Sequence, residues 1–411
     1  MTVPVFLFDI DGVLVEPHGY RQSIRLTLNH FTSRMGLGDL CPDEADISLF
    51  ESQGVTSEWD IVPICLAAIL DALQGNHPEL QFPPDLLLAC EVVHAGHAQN
   101  PVVDYQSLAL KLGTNFKPGV IPSKLALMLN ETDRTQPPFP HLVGHPLLAH
   151  LLDQTRNIYT SLVTRTFQHY SLGSDRFEKT YGSSKWFLHA DAQTHSLAPE
   201  FETISCLKTC DRPILTRKWR DTLISQWKAG CLHLAAYTAR PSLVKNLGNN
   251  REMTYSPEAE MALELTGLEG IPLVGYGQVC ALAELTGLSP EQIIKPSPIQ
   301  PLGAIGAALY RDEMSAMLAA VRLINGDEAM YFKDMPALDI HIFEDSAGSI
   351  RAVKKAASLL AEHGVPVTVH AWGVATDPSK VTSLQKVGAA ILADVNQALV
   401  EAYRYSVKLK C

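Results

Sequence analysis

The sequence lacks several features that define whole classes of protein. It has no apolar run of membrane-spanning length, no internal repeat and no low-complexity segment. Basic residues are in deficit, because 33 lysines and arginines face 44 aspartates and glutamates, which gives a net charge of -11. This balance argues against a nucleic acid or an anionic membrane as the partner, although a local basic pocket can still hold an anion. The first residues show no basic n-region or cleavage site, so we expect a cytoplasmic protein.

Cysteine is sparse as well, with eight residues scattered along a chain of 411. Only Cys206 and Cys210 lie close together, and their spacing fits neither a zinc knuckle nor a Cys-x-x-Cys redox pair. By contrast, 46% of the residues are hydrophobic and 19% are charged, which is enough apolar material for a large folded core. The length predicts two or three domains.

The first apolar stretch, residues 4–15, contains a pair of acids directly after a run of β-forming residues. An apolar run without polar alternation predicts a strand that is buried on both faces of a parallel sheet. Ligands of such sheets bind beyond the carboxyl ends of the strands, where Asp9 and Asp11 follow and Gly12 lets the chain turn away. Two carboxylates at this spacing repel each other unless a cation lies there, which is a first indication of a metal.

The next 190 or so residues, about half the chain, show amphipathic helical segments and turns rich in proline and glycine. Helices are predicted over residues 22–31, 57–72, 84–94 and 146–167. A segment of this length is a domain rather than a loop. We therefore predict an all-helical cap domain, residues 16–210, inserted after the first strand of a core that consists of residues 1–15 and 211–411.

One helix start in this inserted domain offers candidates for selecting a substrate. Ser57 followed by Asp60 predicts a variant of the capping box. Thr56, Glu58 and Trp59 are suited by residue type to meet a substrate, and helix capping with a packed indole is the structural alternative.

The second half of the chain alternates strands with helices. Strands are predicted over residues 231–237, 339–343, 367–370 and 389–392, and a single long helix over residues 302–324. This alternation predicts an α/β fold with a doubly wound parallel sheet.

Polar residues follow several of these strands. Thr238 follows one predicted strand, Lys295 another, and Glu344 with Asp345 a third. Because the carboxyl ends of parallel strands meet at one edge, we expect one crevice to collect them together with the first acid pair. Taken singly, each has an ordinary alternative, which is helix capping for the threonine and the second aspartate and surface exposure for the lysine.

In this order the residues resemble the four motifs of the haloacid dehalogenase-like (HAD) phosphohydrolase superfamily. The adjacent acids Glu344 and Asp345 resemble the fourth motif of β-phosphoglucomutase and its phosphatase relatives. The resemblance covers the first fifteen residues and roughly everything after residue 211, whereas the helical insert matches by position and type more than by sequence. It implies a HAD-like Rossmannoid core with a large helical cap.

The resemblance also implies roles for individual residues. Asp9 would be the nucleophile that forms an aspartyl phosphate, and Asp11 would serve in turn as acid and base. Thr238 and Lys295 would hold the phosphate oxygens. Arg240 stands two residues past the threonine and is a candidate contact for an anionic substrate, with a salt bridge as the alternative.

Magnesium is the cofactor that this resemblance implies. Its ligands would be Asp9, the main-chain carbonyl of Asp11 and Asp345, with Glu344 contributing directly or through water. The implied activity is that of a magnesium-dependent phosphatase, which hydrolyses a small phosphorylated metabolite through an aspartyl phosphate.

Two alternatives remain open from the sequence. A phosphomutase acting on a sugar phosphate shares all of these residues and differs in whether the cap excludes water. A catalytically idle binding module would keep the HAD fold and use the cap for a partner.

Overall fold

The computed structural model describes residues 2–116, 120–133, 135–158, 160–181, 201–244, 255–327 and 330–405. The chain divides into two compact units. We call Met1–Pro17 with Cys210–Cys411 the sheet unit, and His18–Thr209 the helical unit.

The sheet unit is built on six parallel strands. The strands of the chain are β1 (Thr2–Phe8), β2 (Val15–Glu16), β3 (Arg212–Pro213), β4 (His233–Tyr237), β5 (Leu273–Val274), β6 (Ala337–Glu344), β7 (Val367–Val374) and β8 (Ala390–Leu392). The large sheet has the order β5-β4-β1-β6-β7-β8, and each neighbouring pair is parallel. Strands β2 and β3 form a separate antiparallel ribbon. The predicted α/β fold with a parallel sheet is confirmed.

The helical unit contains no strand among its described residues. Its helices are α1 (Gly19–Arg34), α2 (Glu44–Ser52), α3 (Glu58–Asn76), α4 (Leu86–Ala95), α5 (Tyr105–Asn115), α6 (Pro122–Thr132), a short 3-10 helix (Pro140–Leu142), α7 (Pro146–Leu152), α8 (Leu162–Leu172) and α9 (Ser174–Tyr181). Helix α3 is apolar nearly all round and lies in the core of the unit. A helix buried on every face marks the centre of a helical domain.

The helices of the sheet unit lie on both faces of the sheet. After α10 (Cys206–Cys210), which joins the units, they are α11 (Arg217–Lys228), α12 (Glu258–Thr266), α13 (Tyr276–Thr286), α14 (Pro290–Ile293), α15 (Ile299–Tyr310), α16 (Glu313–Ile324), α17 (Met330–Lys333), α18 (Ala347–Glu362), α19 (Pro378–Lys386) and α20 (Val395–Tyr405). Across the described residues, every helix is too short or too polar to cross a bilayer.

Strand β1 lies at the centre because both of its faces are apolar. Val5 and Leu7 pack into the apolar cluster on one face of the sheet, whereas Phe6 and Phe8 pack into the cluster on the other. Side chains alternate between the two faces of a strand, so a strand covered on both sides must be apolar at every position. Polar chemistry is thereby confined to the strand ends.

The single helix expected over residues 302–324 is two helices. Helix α15 ends at Tyr310, because Arg311 adopts a left-handed backbone conformation with φ of 60°. Asp312 then caps α16 by accepting a hydrogen bond from the backbone N–H of Ser315. The apolar periodicity continues through the break, which is why the sequence pattern did not reveal it.

The helix expected over residues 146–167 is likewise two helices. Helix α7 ends at Leu152, and α8 begins after Ser161, whose hydroxyl accepts a hydrogen bond from the backbone N–H of Thr164 at 3.2 Å. A serine in this position satisfies one of the unpaired donors of a helix start.

The capping box predicted at Ser57 and Asp60 is wrong. The Ser57 side chain makes no cap hydrogen bond and instead accepts one from Arg156 Nη1 at 2.7 Å. Asp60 is buried and accepts a hydrogen bond from the hydroxyl of Ser123 at 2.8 Å. Trp59 is also buried, with the Arg156 guanidinium 5.8 Å from its ring centre. The indole therefore packs in the core of the helical unit.

Candidate active site

Three neighbouring strands deliver polar residues to one edge of the sheet. Asp9 directly follows β1, Thr238 follows β4, and Glu344 ends β6. Strand β1 lies between the other two, and Phe8 is in register with β4 on one side and with β6 on the other. The backbone N–H of Asp9 continues this pairing by donating to the carbonyl of Phe343 at 3.1 Å.

The turn after Asp9 brings the end of β6 close. Gly12 has a φ of 73°, a conformation that residues with a side chain rarely adopt. A Cβ at this position would lie 2.7 Å from Asp345 Oδ2. The glycine is therefore required both by its backbone conformation and by the approach of the Asp345 carboxylate.

Lys295 lies between two carboxylates. Its Nζ is 2.9 Å from Asp9 Oδ2 and 2.9 Å from Glu344 Oε1, and 4.9 Å from the ring centre of Tyr237. Although burial lowers the pKa of Lys295, the two adjacent carboxylates raise it above its usual value. The lysine is therefore charged, and it is held on three sides.

The expected strand before Lys295 is absent, and that prediction is wrong. The residue follows the short helix α14, whose N-cap residue Ser289 forms a capping box and whose first residue is Pro290. Gln300 supports the loop, since its Oε1 accepts the N–H of Lys295 at 3.1 Å and its Nε2 donates to the Thr238 carbonyl at 2.9 Å. One amide thus ties the lysine to the threonine.

Glu344 is surrounded by donors. Its Oε1 accepts from Lys295 and from the hydroxyl of Tyr237, each at 2.9 Å. Its Oε2 accepts the backbone N–H groups of Asp345 and Ser346, each at 3.1 Å. A carboxylate offers about four acceptor positions. Four donors therefore fill the acceptor positions of this fully buried carboxylate. Through these bonds Glu344 holds the lysine against the start of α18.

Asp9 is a buried carboxylate in an acidic setting. One oxygen from each of Asp9, Glu344 and Asp345 lies within 4.8 Å of the others. Burial raises the pKa of Asp9 well above its usual value; Glu344 raises it further, Lys295 opposes the shift, and the charges of Asp345 and Asp11 add smaller increases. A second cation near these oxygens would hold Asp9 in its charged form.

Asp11 is bound by Arg240. The Arg240 Nε lies 2.9 and 3.0 Å from the two carboxylate oxygens, and Nη2 lies 2.5 Å from Oδ1. Nη2 also donates to Asp211 at 3.0 Å, and only 3% of Arg240 is exposed. The residue predicted as a substrate contact is thus a buried clamp in this structure, and it fixes the orientation of Asp11.

Thr238 is buried beside this clamp. Its hydroxyl oxygen accepts the backbone N–H of Arg240 at 3.1 Å, which tightens the turn after β4. The hydroxyl hydrogen can still be donated, because this contact uses only a lone pair of the oxygen. Thr238 therefore links the two groups of predicted residues at this sheet edge, because it contacts Arg240 directly and Lys295 through Gln300.

Lys380 is a cation of this edge that the sequence analysis missed. Its Nζ lies 2.5 Å from Asp345 Oδ2. It stands in the first turn of α19, which follows β7, the neighbour of β6 in the sheet. Because β7 extends to Val374 rather than to residue 370, its end lies closer in sequence to Lys380 than expected. The sequence pattern did not indicate Asp211 or Tyr237 as members of the site either.

The ion pairs described above do not balance in charge. The carboxylates of Asp9, Asp11, Asp211, Glu344 and Asp345 face the cations of Arg240, Lys295 and Lys380. With all five carboxylates ionised, two negative charges are left over, which is the charge that one divalent cation compensates. All the ligands offered are oxygens, as a hard cation such as Mg²⁺ prefers. The donor set therefore fits the metal implied by the sequence resemblance.

Comparison with known proteins gives little beyond this geometry. No family model matches the chain, and neither does any curated protein. Among solved structures, the chain is similar to "Phosphatase Tt82 from Thermococcus thioreducens", at 14% identity over 98% of this chain and 100% of that chain, with a TM-score of 0.41. A likeness at this level does not determine function.

Proposed function

We propose that the sheet unit is the catalytic domain of a magnesium-dependent, HAD-like phosphatase that hydrolyses a small phosphorylated metabolite. The observation that carries this proposal is the position of Asp9. It is a buried carboxylate at the end of the central strand, 2.9 Å from a buried lysine and within 4.8 Å of two further carboxylates. Such a site suits phosphoryl transfer, in which catalysis is mainly positioning and charge compensation.

Asp9 is the proposed nucleophile. Its Oδ2 attacks phosphorus, the bond between phosphorus and the leaving oxygen breaks, and an aspartyl phosphate forms. Lys295 stabilises negative charge on both the carboxylate and the transferring phosphoryl group. Its contacts with Glu344 and the ring of Tyr237 keep it in place throughout, so that the charge is positioned before the reaction begins.

Asp11 is the proposed acid and base. It gives a proton to the leaving oxygen and then takes one from the water that attacks the phosphorus, which releases Asp9. The clamp by Arg240 fixes the orientation of the Asp11 carboxyl group. Asp211 holds the arginine in turn, so the orientation of the base depends on a buried chain of ion pairs.

The magnesium ligands in this proposal are Asp9, Asp345 and the main-chain carbonyl of Asp11. Glu344 was also a candidate ligand, but its four bonds to protein donors support a positioning role for it instead. When bound, the metal would neutralise charge on the phosphoryl group. Thr238 is proposed to donate its hydroxyl to a phosphoryl oxygen.

The test is a screen of phosphorylated metabolites with the full chain and two variants. Asp9→Asn should abolish release of phosphate while the protein stays folded, because the amide cannot form the intermediate. Asp339→Asn, which alters the other end of β6, is the matched control and should keep full activity. Normal turnover by the Asp9 variant would reject the aspartyl-phosphate route. Interconversion of sugar phosphates with little free phosphate would instead indicate a mutase.

A further inference from the structure

The two lysines of the candidate site are held very differently. Lys295 is 11% exposed and lies between two carboxylates and an aromatic ring. The side chain of Lys380 is 55% exposed, and it forms an ion pair with Asp345. A lysine side chain has a flexible four-carbon stem, so a half-exposed ammonium with a single carboxylate contact can move.

A cleft lies beside Lys380. Its volume is about 270 Å³. It is lined by Asp345, Ser346, Ala347, Ser379, Lys380 and Ser383. All of these residues belong to the sheet unit, and the serines and the lysine offer donors for an anion. The ammonium can therefore reach either the carboxylate or the cleft by rotation about its own stem.

The contact with Asp345 conflicts with the proposed metal site. The ammonium lies 2.5 Å from Oδ2, and a magnesium ion bound to the same carboxylate would lie about 2.0–2.1 Å from an oxygen. Two cations this close repel each other strongly. Movement of Lys295 would leave two buried carboxylates without a cation, so Lys380 is the lysine that can move away from the metal.

We propose that Lys380 is a built-in counter-cation of Asp345 that a divalent metal displaces, after which its ammonium binds an anionic oxygen of the substrate in the adjacent cleft. This inference rests on the proposed metal site at Asp345. In the metal-free protein, the Lys380 ammonium compensates part of the negative charge of the carboxylates at this edge. It also couples metal binding to phosphate binding, because the lysine becomes available to the substrate only once the metal has taken its place.

The first experiment is a calorimetric titration of Mg²⁺ into the full chain and two variants. Lys380→Met keeps the length of the side chain and removes the competing charge, so its Kd for Mg²⁺ should fall roughly fivefold. Lys386→Met, at the other end of α19, is the matched control and should bind as the wild type does.

The outcomes separate this inference from the proposed function. If wild type and Lys380→Met bind Mg²⁺ with equal affinity, or the variant binds more weakly, Lys380 is not a competitor, although the metal site stands. If neither protein binds Mg²⁺, the metal site and the inference fail together.

The second experiment titrates inorganic phosphate into the same three proteins saturated with Mg²⁺. Loss of a charge-assisted hydrogen bond should weaken phosphate binding by Lys380→Met about tenfold, with Lys386→Met unchanged. Equal phosphate affinity in all three proteins would overturn the substrate role of the lysine, whatever the metal titration showed.

Discussion

Strand β6 carries a cluster of potential metal ligands at each end, and the two clusters differ in their hydrogen-bond partners. Near its start, Asp339 and His341 meet His370 of β7. At its end, Glu344 and Asp345 meet Asp9 of β1. In both clusters the possible ligand atoms lie within 4.8 Å of one another. Distance alone therefore does not distinguish a metal site from a hydrogen-bond network.

In the histidine cluster, ring N–H groups of the histidines face the carboxylate of Asp339. The indole N–H of Trp372 points to His341 Nδ1 at 3.1 Å, and an indole can only donate. Nδ1 is therefore an acceptor, so neutral His341 carries its proton on Nε2, which lies 3.5 Å from Asp339. His370 Nε2 is 3.0 Å from the same carboxylate. A metal on His341 would require both ring nitrogens to lack protons, which a neutral imidazole does not provide.

The acid cluster has the opposite character. With the neighbouring Asp11 and Asp211, this cluster brings five carboxylates together. The cations of Arg240, Lys295 and Lys380 match only three of them. Such a surplus in a poorly solvated place favours binding of a cation. The comparison shows that the partners around a set of ligand atoms, and not their spacing, decide whether a metal belongs there.

The largest expected effect comes from neutralising one acid in each cluster. Asp345→Asn should lower phosphatase activity about a thousandfold, because metal stabilisation of the transition state is worth several kcal/mol. Asp339→Asn should leave activity unchanged. Steady-state rates with the best substrate of the screen would measure this. Equal losses in both variants would mean that the distinction between the clusters is wrong.

The next effect concerns the two lysines of the acid cluster. Lys295→Met leaves the buried carboxylates of Asp9 and Glu344 without their cation, and should lower the free energy of unfolding by about 3–5 kcal/mol at pH 7.5. Lys380→Met removes a half-exposed pair and should cost only about 0–1 kcal/mol. Urea denaturation of both variants would measure the difference. A comparable cost for both would contradict the distinction between a fixed and a movable lysine.

At lower pH, the difference in stability cost between Lys295→Met and Lys380→Met should be smaller. Asp9 has a raised pKa, so it takes up a proton early as the pH falls, and a neutral carboxyl no longer needs Lys295. The cost of Lys295→Met should therefore be smaller at pH 5.5 than at pH 7.5.

The strand ends were the most predictable part of the site. An apolar run that stops at a polar residue marks the end of a buried strand, and this rule placed Asp9, Thr238 and Glu344 at one edge. Lys295 was placed there by its order in the chain, but its local structure was wrong. Short-range pattern does not reveal that a helix and a loop, rather than a strand, carry it.

The residues that the sequence did not reveal act through tertiary contacts. Asp211 and Arg240 are 29 positions apart, and Lys380 and Asp345 are 35 apart. A lone aspartate in a loop, or a lone lysine at the start of a helix, has no periodicity that distinguishes it from a solvated residue. The extent of β7 was underestimated because His370 interrupts its apolar pattern. The structure explains that residue by its place in the histidine cluster.

Magnesium should stabilise the protein through the acid cluster alone. At about a hundred times its Kd, a ligand that binds only the folded chain adds about 2.7 kcal/mol. Wild type and Asp339→Asn should melt at a higher temperature in magnesium than in chelator, and Asp345→Asn should show no shift. A shift that persists in Asp345→Asn but disappears in Asp339→Asn would transfer the metal to the histidine cluster.

The smallest expected effect is the pH dependence contributed by His341. Burial lowers its pKa below the usual value; Asp339 opposes this, and His370 adds to it. The unfolded chain therefore binds this proton more readily, so the stability is present above about pH 6.5 and is lost as the pH falls below it. The pKa of Asp339 is lowered too, and that contribution to stability disappears only in stronger acid, below its usual value of about 3.9.

The measurement is the free energy of unfolding, obtained from melting curves between pH 7.5 and 5.5. It should fall less steeply with pH for His341→Gln than for the wild type. The glutamine amide can still accept the indole proton. The difference should be about 1.4 kcal/mol for each unit by which the pKa is lowered. His363→Gln, an exposed position after α18, should follow the wild type. Parallel curves for all three proteins would mean that His341 does not carry this acid sensitivity.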